Sequence, residues 1–531
     1  MKKSFKKLTA VILTVSIVFS LFIPSIGAYA LTDTYKNNSS FSRKLLAVRD
    51  EAINGLVRAI NWFYPCKWEW TKDYKSENMY DGTGEFTSVP SRKWYVGYDN
   101  SSIQDGKELD GKHYVGGSIS ASKLATAIQD DQKVRTVALS TDNGIVVYAV
   151  IDCFGLANPY VREIRSRLSA FAKEKNIVSI NISSLHQHSC VDTFGMNGDI
   201  FKVLFLNWML NLAGKKLYNG INDDFMENLM NVTVNSVKDA VNNMTSGKLY
   251  YGNTDITKYI HDKRDPQIYD KNFNRFRFVP DDDGREIWIL NAPIHCVGNG
   301  AAQTTVTGDY PYYMEKEINE KANADVLYIL GAQLAITGEY ESFWDEVEDM
   351  PRLEQLQVFG KKLAEAAISI NNDKEVEPIL NVAYNEIKLK VSNQLLLLAG
   401  RGGMLTNKVV RNNIFGTDVL LVTEIGYMEL GNDYSVAMIP GELAPELAFG
   451  GCYKADESWD GKDFPYPPMN EKVGDRQLIV FGLTNDQIGY ILADNDYVAL
   501  FAENEEFISL GKTTGSSVVK EFLSLVDEVK K

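Results

Sequence analysis

The sequence predicts an α/β protein in which mixed β-sheets carry flanking helices and are built from βαβ units. Short runs of β-branched residues alternate with stretches of helical periodicity along most of the chain. No internal repeat and no linker rich in proline, serine or glycine interrupts this alternation. With 531 residues, 45% of them hydrophobic, the chain is long enough to bury a large core.

The clearest βαβ unit lies in the first half of the chain. Two β-branched runs, 136–140 and 145–151, flank an Asp-Asn-Gly turn signal at 142–144. A helical pattern follows over 160–175, and a further β run covers 177–183. Strand, helix and strand in this order predict parallel strands joined by a right-handed crossover.

The same alternation continues to the end of the chain. It predicts strand 287–293, helix 312–322, and strands 326–332, 434–439 and 478–483, followed by an amphipathic helix over 517–529. In α/β proteins, ligands collect just outside the carboxyl ends of the strands. The residues that follow these strands are therefore the first candidates for a functional site.

Five of the predicted strands are followed by a side chain that can bind a metal or move a proton. They are Asp152 after 145–151, His186 and His188 after 177–183, His295 after 287–293, Glu442 after 434–439, and Tyr490 after 478–483. The chain has only five histidines, and three of them stand at these positions. Imidazole is the commonest zinc ligand and carboxylate a frequent third, so the set is typical of a divalent-metal site.

Each of these residues also has a structural interpretation, which the pattern leaves open. His186 and His188 form an H-x-H, whose imidazoles point to one side in extended backbone, but both could be polar loop residues. A single histidine such as His295 after an apolar strand is more often a hydrogen-bonded core residue. Glu442 could occupy the first turn of a helix, where its charge complements the helix dipole.

Taken together, the segments around these residues resemble the neutral/alkaline ceramidase family. Residues 183–189, SSLHQHS, are similar to its H-x-H stretch, and 434–447 contain its P-G-E motif. Residues 482–491, GLTNDQIGYI, are similar to its N-D-x-I-G-Y motif. The second histidine region is matched by 292–295 together with Gly-Asp-Tyr at 308–310. The likeness spans roughly residues 93 to 528.

The resemblance implies a zinc-dependent amidase that cleaves ceramide or another N-acyl lipid by metal-activated water. It implies that His186, His295, Glu442 and Tyr490 ligate one zinc ion per chain. It also implies that His188 is catalytic, because an imidazole beside the metal can carry a proton to the leaving amine. The partner would be a lipid or an N-acyl amide substrate, and peripheral contact with a membrane is left open.

The chain departs from the family at several positions. Where a Gly-Asp pair and a serine are expected after strand 326–332, the sequence is GAQLAIT. No arginine stands near Thr257 and Lys258, where the family carries a substrate-binding one, and Ala502 replaces an expected tyrosine. The expected fold is the catalytic domain without the family's C-terminal immunoglobulin-like domain. A catalytically inactive or altered-substrate binding protein of the same fold is the alternative.

The first thirty residues predict export. Four lysines at positions 2, 3, 6 and 7 precede an apolar run over 8–26, and Ala28-Tyr29-Ala30 is a cleavage pattern, as in a secretory signal peptide. The alternative is an uncleaved membrane anchor, since the run is long enough to span. We expect a signal peptide over 1–30, an N-terminal helical extension over 31–92 and the catalytic domain over 93–531, in a bacterial protein that is secreted or held at the cell envelope.

Charge and cysteine content narrow the partners and the chemistry. The net charge is −15, and removal of four lysines and no acidic residue takes it to −19, which disfavours nucleic acid and anionic lipid. Five cysteines are too few and too uneven for a disulfide framework. Cys190 and Cys296 stand beside proposed ligands. They could form one bridge, one of them could bind metal, or both could be unpaired buried residues.

Overall fold

The computed structural model describes residues 40–530, apart from positions 65, 81, 84–85, 118, 120–121, 143, 265, 299–303, 339–346, 348 and 501–505. In this part of the chain, two mixed β-sheets pack face to face and helices cover their outer faces. The predicted fold class is therefore confirmed. The expected signal peptide over 1–30 and Ala502 lie outside the described residues, and the expected domain boundaries stay a prediction.

The strands have the following bounds. They are β1 Glu69–Trp70, β2 Gly82–Thr83, β3 Trp94–Ser102, β4 Ala127–Ile128, β5 Lys133–Thr141, β6 Gly144–Ile151, β7 Ile177–Ser184, β8 Thr245–Asp255, β9 Ile260–Asp262, β10 Asn272–Pro280, β11 Glu286–Ala292, β12 Thr305–Val306, β13 Ala324–Leu330, β14 Ile336–Gly338, β15 Lys374–Val376, β16 Leu380–Lys390, β17 Val409–Arg411, β18 Val419–Leu430, β19 Tyr434–Met438, β20 Glu442–Leu443, β21 Gln477–Phe481 and β22 Tyr490–Ile491.

The helices lie between and beyond these strands. They are α1 Ser40–Phe63, α2 Asn158–Lys175, α3 Ile200–Leu212, α4 Asp223–Asn242, α5 Asp309–Ala322, α6 Arg352–Ile368, α7 Gln394–Arg401, α8 Pro445–Phe449, α9 Met469–Lys472 and α10 Thr514–Val529. The predicted helices over 160–175, 312–322 and 517–529 are α2, α5 and α10, each of which begins two or three residues earlier than the periodicity indicated.

The larger sheet has nine strands among the described residues and contains the predicted βαβ unit. Its strand order is β13-β11-β10-β8-β3-β5-β6-β7, with β15 paired to β8. Strands β6 and β7 run parallel on either side of α2, and β11 and β13 run parallel on either side of α5. The parallel neighbours share the edge at which their carboxyl ends lie, β6 with β7 and β11 with β13, whereas five successive antiparallel pairings between β6 and β11 give the two pairs opposite directions.

The smaller sheet has seven strands in the described ranges. Its order is β1-β17-β18-β16-β2, and β19 joins β18 to β21. Strands β19 and β21 are parallel, so their carboxyl ends also lie together. The short strands β20 and β22, which follow them, pair with each other in parallel.

Large buried side chains fill the space between the two sheets. Tyr148 of β6 donates a hydrogen bond to the sulfur of Met438 in β19 at 2.9 Å, and Asn291 of β11 donates one to the carbonyl oxygen of Val480 in β21, also at 2.9 Å. The outer face of the nine-stranded sheet packs against α2 and α4, and that of the seven-stranded sheet packs against α10. The result is a four-layer arrangement of helix, sheet, sheet and helix.

One buried ion pair ties the outer helix α2 to the opposite sheet. The Nη2 atom of Arg165 lies 2.5 Å from Oε1 of Glu424 in β18, and its Nη1 atom lies 3.0 Å from Oε2. Both side chains are almost fully buried. Burial alone would lower the pKa of Arg165, but the carboxylate of Glu424 raises it above its usual value. The pair therefore spans the interface between the sheets.

Helix α1 covers the end of the structure at which α7 lies. The amide of Asn61 donates a hydrogen bond to the carbonyl oxygen of Gln394 at 3.1 Å. Ile53, Val57 and Ile60 share a small apolar core with Leu398. Within the described ranges, no helix combines the length and the hydropathy needed to cross a membrane.

Candidate metal centre

Three of the predicted ligands meet at the point where the two sheets come together. His186 follows β7, His295 follows β11, and Glu442 follows β19. Their ligand atoms all lie within 4.8 Å of one another, and all three residues are buried. The Nε2 atom of His295 is 2.8 Å from Oε2 of Glu442, and the Nε2 atom of His186 is 3.4 Å from Oε1. The group can hold a metal ion, with both sheets contributing ligands.

Backbone carbonyl groups fix the orientation of both imidazoles. The Nδ1 atom of His186 lies 2.8 Å from the carbonyl oxygen of Phe154, and the Nδ1 atom of His295 lies 2.9 Å from that of Ile336. Because a carbonyl oxygen can only accept, each Nδ1 carries the hydrogen and each Nε2 keeps its lone pair. Both lone pairs are then directed towards the carboxylate of Glu442. This second layer of contacts is typical of histidines that bind a metal.

The donor set itself requires a positive charge between its members. An Nε2 lone pair and a carboxylate oxygen are both acceptors, so their approach to 2.8 Å is favourable only if a cation or a proton lies between them. Two imidazoles and one carboxylate are the ligand types that zinc prefers in hydrolytic sites. The residues present therefore fit a zinc ion.

Electrostatics keep His186 and Glu442 in the protonation states that a cation needs. Burial lowers the pKa of His186 to about 4, with Glu442 opposing this and His295 adding to it. Burial alone would raise the pKa of Glu442, but the two histidines and a hydrogen bond from Gln487 outweigh it and lower that pKa. At neutral pH His186 is thus neutral and Glu442 is ionised, which leaves their donor atoms available to a metal.

The backbone at the H-x-H is not extended, contrary to the sequence interpretation. Strand β7 ends at Ser184, and His186 adopts a φ of 50°, in the left-handed region that histidine seldom occupies. On the facing loop, Leu483 and Asn485 also have positive φ values, 52° and 68°. The chain turns sharply here because the two loops dock on each other through the Ser183–Thr484 bridge. Such local strain is characteristic of functional sites.

His188 lies beside the three clustered residues, and its catalytic role stays a prediction. Its ring centroid is 4.8 Å from that of His186 and 6.2 Å from that of His295. Its Nε2 atom has no hydrogen-bond partner among the described residues. Burial and the two neighbouring histidines hold the pKa of His188 well below its usual value, against a hydrogen bond with the backbone of Gly117. A neutral imidazole with an available nitrogen is thus placed next to the ligand cluster.

Gly117 allows the close approach of its backbone to His188. Its φ is 90°, and a Cβ atom built at this position would lie only 2.4 Å from the Cα atom of His188. Any side chain larger than hydrogen would therefore displace the imidazole or the loop that carries it. The sequence motifs did not indicate this glycine, because the contact joins segments far apart in the chain.

Tyr490 is placed beside Glu442 by the pairing of β20 with β22. The two residues are direct partners in this parallel pair. Side chains of direct partners lie on the same face of a sheet, and both residues line the same cavity. The structure thus brings Tyr490 to the ligand cluster, and its role as a fourth ligand stays a prediction.

The cluster lines a cavity of about 720 Å³ that is otherwise mainly apolar. His186, His188, His295, Glu442 and Tyr490 contribute to its wall. Most of the remaining wall is formed by apolar side chains from distant segments, namely Trp68, Phe154, Phe194, Met196, Val391, Leu396, Leu397, Leu405, Val409, Leu421, Phe507, Ile508 and Leu510. The reactive groups therefore meet a space suited to an apolar ligand.

Asp152, the remaining strand-end candidate, is not part of the cluster. Its carboxylate lies 2.8 Å from Nη1 of Arg135 and accepts hydrogen bonds from the amide of Lys133 at 2.9 Å and from Gln187 at 3.1 Å. Burial raises its pKa despite the neighbouring Arg135. The side chain is turned towards this arginine, so it holds the loop that carries the histidines instead of facing a metal.

The segments that depart from the family still contribute to the site. Ala335 and Thr337 line the cavity, and Ile336 holds His295 through its carbonyl group. Neither Thr257 nor Lys258 lines the cavity, but Lys263, five residues further on, does. Sequence reasoning missed Lys263 because this residue follows strand β9, outside the segment in which the arginine was expected.

The cysteines form no disulfide. All five lie within the described ranges and all are free. The thiol of Cys190 donates a hydrogen bond to Oε1 of Gln187 at 2.8 Å, and burial raises the pKa values of Cys190 and Cys296 well above the usual range. Neither joins the ligand cluster. Of the three interpretations, unpaired buried residues is the one observed.

Solved ceramidase structures share this architecture. A neutral ceramidase from Pseudomonas aeruginosa superimposes with a TM-score of 0.60 over 82% of this chain and 74% of its own, at 14% sequence identity. The chain has the neutral ceramidase fold. A second solved structure, titled "Ceramidase complexed with C2", matches with a TM-score of 0.61 over 82% and 75% of the two chains, at 13% identity. No protein-family model and no curated protein sequence matches the chain.

These matches confirm the resemblance inferred from the motifs at the level of the fold. The low identities agree with a divergent sequence. At such distances a shared fold does not establish a shared reaction. The chemistry therefore has to be argued from the cluster and the cavity.

Proposed function

We propose that this chain is a zinc-dependent hydrolase that cleaves the amide bond of an N-acyl lipid such as ceramide. The observation that carries the proposal is the set of three buried acceptors, from His186, His295 and Glu442, gathered within 4.8 Å at the wall of an apolar cavity. A polar, metal-binding group beside a large apolar space suits a substrate with a reactive amide and a long hydrocarbon chain.

The three residues of the cluster would hold the zinc ion, and Tyr490 is proposed as the fourth ligand. When bound, zinc polarises a carbonyl group and brings the pKa of a water molecule near 7. Phe154 and Ile336 keep the two imidazoles in the required tautomer.

His188 is the proposed proton carrier. Its Nε2 atom lacks a hydrogen-bond partner in the described part of the chain and belongs to a ring that lines the cavity. It can therefore take a proton from the attacking water and deliver it to the amide nitrogen, which makes the amine a better leaving group. For this transfer, the amide nitrogen of the substrate must lie within hydrogen-bond distance of the His188 imidazole.

The remaining wall of the cavity determines which substrates can bind. The apolar residues suit an acyl or a long-chain base, while Lys263 and Asn407 provide polar groups that can contact hydroxyl or carbonyl oxygens. Lys263 would supply, inside the cavity, the positive charge that the family's arginine provides, since Lys258 does not line the cavity. This assignment makes the substrate class an N-acyl lipid and leaves its chain length to experiment.

The proposal is tested with the purified chain and a synthetic N-acylsphingosine. We expect zinc-dependent release of the fatty acid and the free amine, measured by mass spectrometry, with loss of activity in His186→Ala. The matched control is His261→Ala, because His261 is an exposed histidine that does not line the cavity. Stoichiometric zinc without hydrolysis of any N-acyl lipid would instead support the alternative, a binding protein of the same fold.

We also propose that the protein is exported, on the basis of the lysines and the apolar run that precede Ala30. An extracellular location would give the enzyme access to lipids of an outer membrane surface. Mass spectrometry of the intact protein from the expressing cells should find a chain that begins at Leu31, and a chain that retains residues 1–30 would contradict cleavage.

A further inference from the structure

Helix α3 packs Val203, Leu204 and Trp208 against the protein and also presents a row of apolar side chains outward. Phe205, Leu206, Met209 and Leu212 recur at spacings of one, three and four residues and are all exposed, Met209 by 50% and Leu212 by 62%. The side of the same helix that faces the protein carries the buried asparagines Asn207 and Asn211. A helix that packs on a soluble core normally has polar residues on its solvent-exposed side, whereas this helix is largely apolar on both sides.

Specific hydrogen bonds hold the helix in this orientation. The side-chain amide of Asn207 donates to the carbonyl oxygens of Tyr218 and Gly402, and its oxygen accepts from the amide of Tyr218 at 2.7 Å. A rotation that buried the apolar side would break these contacts and leave Asn207 without partners. The outward direction of the apolar residues is therefore built into the fold.

Two neighbouring segments add exposed apolar residues beside this helix. Tyr64, at the end of α1, donates a hydrogen bond to the carbonyl oxygen of Leu204 in α3 at 3.1 Å. Trp62 of α1 is 56% exposed and lies with its ring centroid 6.0 Å from that of Phe415, which is 57% exposed. We call the group formed by Trp62, Phe205, Met209, Leu212, Ile414 and Phe415 the apolar rim.

The apolar rim belongs to the same elements that build the cavity. Helix α7, against which α1 packs, contributes Leu396, Leu397 and Gly400 to the cavity wall. Met196 lines the cavity shortly before α3 begins, and Trp68 lines it shortly after α1 ends. If the apolar rim contacts a lipid surface, an apolar molecule that leaves this surface at the rim is therefore close to the cavity.

The segments that carry the apolar rim are basic, although the protein is acidic. Residues 40–64, 200–219 and 394–418 together contain ten lysines and arginines and three acidic residues, a net charge of +7, whereas the whole chain has −15. Of these ten, Arg401 is buried, and Lys216 and Lys408 form ion pairs with acidic residues outside the three segments. Positive charge beside exposed apolar side chains is the combination that binds an anionic membrane surface. The net charge of the whole chain predicted no binding to anionic lipid, because a net charge does not show how positive and negative residues are distributed over the surface.

We propose that the apolar rim inserts into the surface of an anionic lipid bilayer and places the cavity mouth against it. The aromatic and aliphatic side chains enter the boundary between headgroups and acyl chains, and the exposed residues Lys202 and Lys215 contact the lipid phosphates. The binding itself does not require catalysis. The use of this surface to deliver an N-acyl lipid to His186, His295 and Glu442 rests on the proposed function.

The test compares vesicle binding by matched variants of the chain that starts at Leu31, so that the apolar run over 8–26 cannot contribute. The rim variant is Phe205→Ser/Met209→Ser/Leu212→Ser, whose positions are exposed. The control is Val89→Ser, which removes an apolar side chain that is 72% exposed. Val89 lies far from the cavity, because the backbone amide of nearby Thr87 donates a hydrogen bond to Asn381 at the start of β16, whereas the cavity residue Val391 follows the end of this strand.

We expect the unmodified chain to sediment with vesicles of phosphatidylcholine and phosphatidylglycerol, and less with phosphatidylcholine alone or at high salt. The rim variant should lose roughly tenfold or more of this binding, since three apolar side chains no longer leave water. Val89→Ser and His186→Ala should bind as the unmodified chain does. The rim variant should still hydrolyse a short, water-soluble N-acyl substrate.

Three results would overturn this assignment. The first is equal vesicle binding by the rim variant and the unmodified chain, and the second is no vesicle binding by the unmodified chain. The third is a dimer of the unmodified chain, seen without vesicles, that the rim variant abolishes, since the rim would then bind a second copy. A failure of the proposed function would appear separately, as vesicle binding without hydrolysis.

Discussion

The two walls of the cavity are built in different ways. The metal-binding wall, named for the proposed zinc site, consists of His186, His295 and Glu442, which follow strands of the two sheets, and backbone hydrogen bonds fix the two histidines in place. The apolar wall is assembled from α7, the segment 506–510 and Trp68, which come from distant parts of the chain. Metal chemistry needs atoms at fixed positions, which strand ends provide, whereas an apolar wall needs only shape and volume.

The largest effect that distinguishes the two walls is expected for His188→Ala. Loss of the proposed proton carrier should lower kcat by about 10²- to 10⁴-fold. Zinc content should not change, because His188 is not one of the three clustered ligands. Activity assays combined with elemental analysis of the same preparation check this. If His188→Ala loses zinc as well as activity, His188 is a metal ligand and not only a proton carrier.

The metal-binding wall also depends on the contact between the sheets, which Arg165→Met should weaken. Removal of the Arg165 guanidinium leaves the carboxylate of Glu424 buried without its partner, and this should lower the free energy of unfolding by about 3–5 kcal/mol. Denaturant titration measures this loss. The matched control is Arg167→Met on the same helix, whose ion pairs with Glu163 and Glu227 are largely exposed. Equal losses for both variants would contradict a special role for the buried pair.

For the apolar wall, the sharpest comparison is Leu396→Ala against Leu395→Ala. Leu396 lines the cavity, whereas its neighbour Leu395 packs towards α1. Leu396→Ala should reduce kcat/KM for a long-chain N-acyl substrate by roughly tenfold and leave a short-chain one nearly unchanged, because only the long chain reaches this side chain. Leu395→Ala should not alter the ratio of kcat/KM for the long-chain substrate to that for the short-chain one. If Leu396→Ala also leaves this ratio unchanged, the acyl chain does not bind in this part of the cavity.

The smallest effect is a pH dependence of the free energy of unfolding that arises from Glu506, beside the apolar wall. Burial raises the pKa of Glu506, which precedes the lining residues Phe507 and Ile508, to about 8. Between its usual value of about 4.3 and that value, the folded protein keeps a proton that the unfolded chain releases. The free energy of unfolding should therefore fall as pH rises through this range, and Glu506→Gln should flatten the fall in thermal melts. The same slope in both proteins would contradict a buried, protonated Glu506.

The metal-binding wall could be predicted from sequence because its determinants are local. A β-branched run ending in a histidine or glutamate is visible in a short window, and several such runs with the H-x-H, P-G-E and N-D-x-I-G-Y motifs identify the fold. The left-handed turn at His186 could not be predicted. It arises where the loop after β7 docks on Thr484, about three hundred residues later in the chain.

The apolar wall and the rim were not predicted, because their arrangement depends on distant contacts. The sequence of α3, IFKVLFLNWMLNL, indicates a buried helix by its composition. Which side faces outward is decided by the bond between Asn207 and Gly402, which are 195 residues apart. Similarly, nothing near Trp68 marks it as a cavity residue. Packing choices of this kind become visible only once the whole chain is folded.

The zinc content of the purified chain tests the central claim most directly. Elemental analysis should find about one zinc ion per chain. In Glu442→Ala the two imidazoles lose their carboxylate partner, and the zinc should be lost on dialysis. A chain that binds no divalent metal after incubation with zinc, or a Glu442→Ala variant that holds as much zinc as the unmodified protein, would contradict a metal centre at this cluster.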